Sequence, residues 1–248
     1  MRLLPALITA AALFASPVQA EGLEAMTDAE RSAFRAEVKA FLIENPEVLV
    51  EAMNALQQRQ DMADANRDAD MLQNNAAAIF DDAASYVGGN PQGDITVVEF
   101  LDYRCSYCRK ATEEVAELVK SDGNIRFIVK EFPILGDDSM TSARFAISVL
   151  QLHGADAYAT LHDALMTLRG SPDVETLTRM ATGLGLDPQP ILDRMASAEV
   201  TAVIDANHAL GEALAISGTP TFVIDGTLLR GYVPLDGMRQ IVADERAG

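Results

Sequence analysis

The chain has 248 residues, of which 19 are Lys or Arg and 37 are Asp or Glu, so its formal net charge is −18. A surface this negative repels phosphate backbones and anionic lipid headgroups, which argues against nucleic-acid or membrane-surface binding. The apolar fraction of 49% suffices for one substantial domain plus an accessory segment. The two cysteines are too few for the set of disulfides that stabilises many small secreted domains.

Residues 1–20 are typical of a secretory signal peptide. Arg2 precedes an apolar run over residues 3–15, and Val18-Gln19-Ala20 is the small-x-small pattern of a cleavage site. The apolar run is shorter than the roughly 20 residues that cross a hydrocarbon core, so a permanent anchor is the weaker interpretation. We therefore expect a periplasmic protein in an oxidising compartment, where a cysteine pair can cycle through a disulfide.

Residues 21–85 are predicted to form an N-terminal helical arm. Thr27-Asp28-Ala29-Glu30 is a capping-box pattern that marks the start of a first helix. The apolar residues that follow it have helical spacing. They are Phe34, Val38, Phe41 and Leu42.

A second helix of the arm is predicted to begin at Asn45-Pro46, which supplies an N-cap and a first-turn proline. A coiled-coil-like stripe follows at alternating steps of four and three: Leu49, Met53, Leu56, Gln60 and Ala63. This stripe could pack on the chain's own domain or join copies of the chain. We favour a homo-oligomer formed through residues 27–84, because such narrow stripes have too little apolar surface for a core of their own.

A second domain, residues 86–248, is predicted to begin where turn formers replace the helical pattern. The apolar runs at 95–101 and 125–129 indicate buried strands, and a helical pattern at 110–120 lies between them. Helical periodicity then fills residues 139–216. A β-hairpin over 221–233 and a closing helix over 235–243 complete the pattern. The expected fold class is α/β with a helical insertion.

The motif Cys105-Ser106-Tyr107-Cys108 lies where a predicted strand ends and a helix begins. Unpaired backbone N–H groups and the positive end of the helix dipole favour a thiolate at such a position. Cys105 is therefore the predicted nucleophile. Cys108 is within bonding reach of Cys105 and is the predicted resolving thiol.

Other roles for the cysteine pair are less well supported by the sequence. A disulfide between residues three apart removes little loop entropy, and the scattered histidines offer no second pair of zinc ligands. A copper-holding dithiol is harder to exclude, because a soft ion can be held by two thiolates. Arg104, Arg109 and Lys110 add positive charge nearby, either as part of the site or as a solvated face.

Gly218-Thr219-Pro220-Thr221-Phe222 places a proline directly before a β-rich run, which alone could be an ordinary strand proline. Together with the cysteine motif and the long helical block, it resembles the DsbA-type thioredoxin-fold oxidoreductases from about Tyr86 onward. The resemblance implies that Pro220 is cis, and that Thr219 presents its backbone to a substrate beside Cys105.

The same resemblance implies further site residues. Ser106 and Tyr107 would contact substrate from the first turn of the helix. Glu99, six residues before Cys105, matches the family's buried acid and could relay a proton to or from Cys108. No metal and no bound cofactor beyond the redox-active disulfide are expected.

The chain departs from the DsbA pattern at the central dipeptide, where Ser106-Tyr107 stands without the family's histidine. A less oxidising pair is therefore expected. Tyr107 and Thr219 resemble the DsbC and DsbG isomerases, and the helical arm resembles ScsC-like periplasmic proteins. We expect an oligomeric disulfide isomerase or reductase acting on cysteine-containing proteins and reset by a membrane redox partner. The alternatives are a monomeric DsbA-like oxidase, a copper-binding partner protein and a chaperone-like binding module.

Overall fold

The computed structural model describes residues 26–247, so the predicted signal peptide lies outside the described residues. The chain divides into two compact units, of which the first ends at Asp61 and the second begins at Met62. Across residues 26–247 no helix combines the length and the apolar character needed to cross a membrane.

Helices and strands follow one another in the order that the α/β prediction requires. The helices of the described chain are α1 (Asp28–Glu44), α2 (Glu47–Asn74), α3 (Ala76–Phe80), α4 (Ser106–Asp122), α5 (Asp137–Thr167), α6 (Val174–Gly183), α7 (Pro188–Arg194), α8 (Ala198–Ala213) and α9 (Leu235–Ala247). The strands are β1 (Tyr86–Gly89), β2 (Ile95–Leu101), β3 (Ile125–Glu131), β4 (Thr221–Ile224) and β5 (Thr227–Arg230).

The N-terminal unit contains α1 and the first part of α2. The Thr27 hydroxyl accepts a hydrogen bond from the Glu30 N–H at 3.3 Å, and the Glu30 carboxylate accepts one from the Thr27 N–H at 2.8 Å, which confirms the capping box. Asn45 does not begin α2 as predicted. Its side chain donates to the Phe41 carbonyl at 2.9 Å and so caps the end of α1.

Large apolar side chains of this unit face solvent in the single chain. No residue of α1 is buried. The exposed residues include most of those that the sequence placed on narrow apolar stripes: Phe34, Val38, Phe41, Leu49, Met53 and Leu56.

The second unit begins well before Tyr86, where the composition placed the start of the domain. Leu72 of α2 and Ile79 of α3 are buried in a core cluster with Val98 and Phe100 of β2. These buried side chains make the last part of the predicted arm an integral part of the second unit.

A buried lysine fixes the position of α3. Lys130 of β3 donates to the Ala78 carbonyl and to the Asp82 carboxylate, each at 2.8 Å. Pairing with Asp82 compensates the cost of burying the ammonium group.

The five strands form one sheet in the order β1-β3-β2-β4-β5. β2 and β3 are parallel and joined through α4, which confirms the predicted βαβ unit. β4 and β5 form the predicted hairpin around Asp225-Gly226. α5 to α8 form the predicted helical insertion, in which Gly154 interrupts α5 with a φ of 82°.

β1 was not predicted, because its Gly88-Gly89 read as turn formers. It lies at the edge of the sheet and pairs antiparallel to β3, with Tyr86 opposite Val129. The Tyr86 ring stacks on the Tyr158 ring of α5 with centroids 4.6 Å apart. This tertiary contact supplies the packing that the two glycines cannot.

Register in the β2–β4 ladder sets the place of the functional residues. Phe100, near the end of β2, lies opposite Thr221, at the start of β4. The loop that follows β2 therefore meets the loop that precedes β4, although Cys105 and Thr219 are 114 residues apart in the chain.

Candidate active site

A buried aspartate, Asp102, fixes the loop between β2 and α4. Its side chain is 1% exposed and accepts four hydrogen bonds. One oxygen accepts from the Arg104 N–H and the Ser139 hydroxyl, each at 2.7 Å. The other accepts from the N–H groups of Ile134 and Leu135 at 2.8 and 3.0 Å. Asp102 thus joins the cysteine loop, the loop after β3 and the start of α5.

Cys105 is the N-cap of α4 and meets the loop before β4. Its Sγ lies 3.1 Å from the Thr219 carbonyl oxygen, which accepts a hydrogen bond from Cys105 only while Cys105 is protonated. The Thr219–Pro220 peptide bond is cis, as the resemblance implied. Cys105 is 8% exposed and Cys108 is fully buried, so the first sulfur is the accessible one.

Electrostatics divides the two thiols into different roles. The pKa of Cys105 is lowered to about 5, first by a hydrogen bond from the Cys108 thiol and then by the Thr219 side chain. The backbone N–H groups of Cys108 and Tyr107, at the start of α4, also contribute to the lowered pKa. The pKa of Cys108 is raised, because its proton is held by the Cys105 sulfur and because the side chain is buried. At neutral pH Cys105 is a thiolate and Cys108 a thiol.

Glu99 of β2 is 2% exposed and is close enough to both cysteines to interact with them electrostatically. Its Oε1 has no hydrogen-bond partner among residues 26–247. Burial, and after it the nearby Cys105 and Glu131, raise the pKa of this carboxyl to about 8. The carboxyl borders a cavity of about 480 Å³ between α4 and α5, which Thr112 and His162 also line. Glu99 can therefore gain or lose a proton close to neutral pH.

A second buried acid, Glu131, was missed by the sequence analysis. Its Oε1 accepts hydrogen bonds from the hydroxyls of Tyr103 and Tyr158 at 2.8 and 2.5 Å. Burial raises the pKa of Glu131 to about 8. The Tyr103 hydroxyl also lies 3.3 Å from Nδ1 of His162, whose pKa burial lowers to about 4. The adjacent charged residues Lys130 and Glu131 at the end of an apolar strand, just before Phe132-Pro133, were the available signal.

Comparison with known families identifies the fold. Residues 96–243 match the family described as the DSBA-like thioredoxin domain. The chain belongs to this family. Residues 30–63 match the family described as the copper resistance protein ScsC N-terminal domain. The cysteine motif and the cis proline both lie within the matched DSBA-like thioredoxin domain, the family that the sequence resembles.

Solved structures agree with this assignment. A thioredoxin-like oxidoreductase from Silicibacter pomeroyi is 39% identical, with a TM-score of 0.65, over 69% of this chain and 98% of its own. BcfH of Salmonella enterica Typhimurium is 28% identical, with a TM-score of 0.70, over 89% of this chain and 97% of its own. Proteus mirabilis ScsC in a transitional conformation is 27% identical, with a TM-score of 0.65, over 90% and 98%.

Curated relatives include much longer proteins. The Na(+)/H(+) antiporter NhaA 1 of Salinispora arenicola is 27% identical over 168 residues, which are 66% of this chain and 25% of that protein. The chain thus spans about a quarter of the length of the antiporters that it matches.

Ser106 and Tyr107 lie on the first turn of α4 in the DsbA-like domain, beside Cys105. Ser106 is exposed, and Tyr107 is 58% exposed with its ring 6.3 Å from that of Tyr232. His208, away from the cysteines, lies 3.1 Å from the Pro133 carbonyl through Nε2. Residues 26–247 contain no group of three or more His, Cys, Asp or Glu placed to hold a metal ion.

Removal of the Cys108 thiol is expected to raise the pKa of Cys105. Cys108→Ala deletes the hydrogen bond that contributes most to the lowered pKa, which should rise by on the order of one unit from about 5. Cys108→Ser keeps a donor at this position and should leave the pKa closer to that of the wild type. The pH dependence of Cys105 alkylation measures both. Equal pKa values in the two variants would contradict the assigned hydrogen bond.

Replacement of Glu99 is expected to stabilise the reduced protein in a pH-dependent way. The pKa of Glu99 is raised from 4.5 to about 8 on folding, so the free energy of unfolding falls as pH rises between these values. Glu99→Gln should therefore match the wild type at pH 4 and exceed it by on the order of 3 kcal/mol at pH 8.

Denaturant unfolding at the two pH values checks this expectation. Glu113→Gln, which changes an exposed carboxylate of α4, is the matched control. A gain for Glu99→Gln that is the same at both pH values would show that Glu99 is not protonated by burial.

Proposed function

We propose that the protein is a periplasmic disulfide isomerase or reductase that acts on cysteine-containing proteins. The observation that carries the proposal is the Cys105 sulfur, held 3.1 Å from the Thr219 carbonyl of the cis-proline loop and shifted to a pKa of about 5. A substrate strand that lies against this loop would bring its disulfide to the thiolate. The backbone of Thr219 and Pro220 and the side chains of Ser106 and Tyr107 would border that strand.

Exchange begins when the Cys105 thiolate attacks one sulfur of a substrate disulfide. A bond forms between Cys105 and that sulfur, the substrate S–S bond breaks, and the other substrate sulfur leaves as a thiolate. In isomerisation a different substrate thiolate then attacks the mixed disulfide and frees Cys105. In reduction Cys108 attacks Cys105, the substrate leaves as a dithiol, and the enzyme is left oxidised.

Glu99 is the proposed base for the second path. Cys108 must lose its proton before it can attack, and its raised pKa makes that loss costly. The Glu99 carboxylate near the pair can accept the proton and pass it to solvent through the cavity that it borders. The redox chemistry then needs no bound cofactor, and a membrane partner is proposed to reduce the Cys105–Cys108 disulfide again.

The pKa of Cys105 is lowered less than that of a strongly oxidising pair, which supports isomerase or reductase activity. A value of about 5 lies between the approximately 3.5 of the strong oxidant DsbA and the approximately 7 of reducing thioredoxin. A more stable thiolate makes a disulfide more oxidising, so this pair is expected to be intermediate. The second candidate function is a monomeric disulfide oxidase. It is favoured to the extent that the lowered pKa of Cys105 makes the disulfide oxidising.

The exposed apolar residues of α1 and α2 support a homo-oligomer. These helices expose Phe41, Met53 and Leu56 by half or more of their surface, and solvent exposure of such a series is costly in a monomer. The match of residues 30–63 to the ScsC N-terminal domain covers the same segment. Several sites in one oligomer would raise the effective concentration of Cys105 around a misfolded chain.

Activity is expected to depend differently on the two cysteines. The wild type should restore native disulfides in a scrambled multi-disulfide protein, and Cys105→Ser should abolish this activity. Cys108→Ser should retain isomerisation while losing turnover as a reductase. The reduction potential of the pair should lie well below the roughly −120 mV of a strong oxidant. Full activity of Cys105→Ser would contradict the proposed function, and a potential near that value would favour the oxidase.

Assembly is expected to depend on the apolar residues of α2. Met53→Asp combined with Leu56→Asp places two charges on the exposed face and should convert the oligomer to a monomer in sedimentation equilibrium. Gln58→Asp, at an exposed polar position of the same helix, is the control and should leave the mass unchanged. A wild type that is already monomeric would contradict the oligomer and favour the oxidase.

A further inference from the structure

Positive charge gathers on one side of Cys105 in a chain whose net charge is −18. Arg104 directly precedes Cys105, and Arg109 follows it by one turn of α4, with its N–H donating to the Cys105 carbonyl at 3.1 Å. This backbone hydrogen bond places Arg109 one turn beyond Cys105, on the helix whose N-cap is the reactive cysteine. Arg169, which follows α5, is close enough to Arg109 to repel it electrostatically.

Two of the basic residues near Cys105 are already engaged. Arg104 donates to the Gly170 carbonyl at 2.8 Å and lies 3.6 Å from the Asp138 carboxylate. Lys110 lies over the Tyr232 ring at 4.1 Å from its centroid. These contacts account for both charges within the fold.

Arg109 and Arg169 differ from these two residues, because their guanidinium groups are not fully paired within the described part of the chain. The Nε of Arg109 donates a hydrogen bond to the Tyr103 carbonyl at 2.8 Å. Its Nη2 is buried and has no partner among residues 26–247. Arg169 is exposed and makes no hydrogen bond or ion pair within the same residues. The nearby Asp102 cannot pair with them fully, since it already accepts four hydrogen bonds. A buried unpartnered donor is rare in folded proteins and calls for an explanation.

A depression of about 500 Å³ is lined by four residues: Arg109, Met166, Thr167 and Arg169. An arginine side chain carries several N–H donors in the planar arrangement that fits a carboxylate, and two arginines line this depression. Burial, and after it repulsion from Arg104 and Arg169, lower the pKa of Arg109, and an anion in the depression would relieve that repulsion. The apolar Met166 would contact the methylene groups of an acidic side chain.

We propose that Arg109 and Arg169 form a carboxylate-binding subsite beside Cys105, which selects protein substrates with an Asp or Glu side chain close to the reacting cysteine. This inference rests on the proposed function and names the substrate class of the same site. The subsite would offset locally the repulsion that the acidic chain exerts on acidic substrates.

Matched peptides test the subsite. Three peptides carry one cysteine as a mixed disulfide with 2-mercaptoethanol and differ only in flanking Glu, Gln or Lys residues. Cys105 attacks the peptide sulfur and 2-mercaptoethanol leaves as a thiolate, which mass spectrometry follows over time. Each rate constant is divided by that of dithiothreitol with the same peptide, so that intrinsic differences between the peptides cancel.

The wild type is expected to favour the Glu peptide over the Gln peptide by about fivefold at low salt, the upper range for one exposed ion pair. Arg169→Gln should reduce the ratio of the Glu-peptide rate to the Gln-peptide rate to about one. Arg169→Glu should make the Lys peptide react faster than the Glu peptide. Arg179→Gln is the control, because it changes the net charge equally at an exposed arginine of α6 paired with Glu175. It should leave the ratio at the wild-type value.

Equal reaction of the wild type with all three peptides would overturn the subsite, as would an unchanged ratio in Arg169→Gln. A ratio that falls equally in Arg169→Gln and Arg179→Gln would assign the preference to net charge and would also overturn it. Failure to react with any of the peptides would instead contradict the proposed function itself.

Discussion

The contact between Cys105 and the Thr219 carbonyl is the constraint on which the rest of the structure depends. It joins the end of β2 to the start of β4 through an antiparallel ladder in which Phe100 lies opposite Thr221. The helical insertion, α5 to α8, lies between β3 and β4 in the chain. Its two ends must therefore be compatible with the contact between Cys105 and Thr219. The backbone oxygen that touches the sulfur belongs to a loop that the sheet holds in place.

Hydrogen bonds of buried polar side chains also fix the segments around the cysteines. Asp102 accepts hydrogen bonds from N–H and O–H groups of three segments. Glu131 accepts hydrogen bonds from a hydroxyl of the cysteine loop and from a hydroxyl of α5. Hydrogen bonds in a low-dielectric interior are strong, and leaving one of these groups unpaired would be costly. The position of Cys105 is therefore determined by the insertion as well as by the sheet.

The sequence predicted those parts of the fold whose signals are local. The apolar run of β2, the cysteine at the start of α4 and the proline before β4 each carry their own pattern. The strand β1 escaped prediction because its packing comes from Tyr158, and Asn45 was assigned to the wrong helix because either helix end suits its side chain. Asp102 and Glu131 have no local pattern, since their partners are brought to them only by folding.

The burial of Glu99 affects which substitutions would be selected at this position. An amide or an apolar group would fit the interior better than its buried carboxyl, so the proton transfer proposed for Glu99 would come at a cost in stability. A library selected for heat tolerance alone should discard the acid early, and the survivors would keep Cys105 and Cys108 intact. Such survivors would look like competent enzymes in a static structure while turning over slowly.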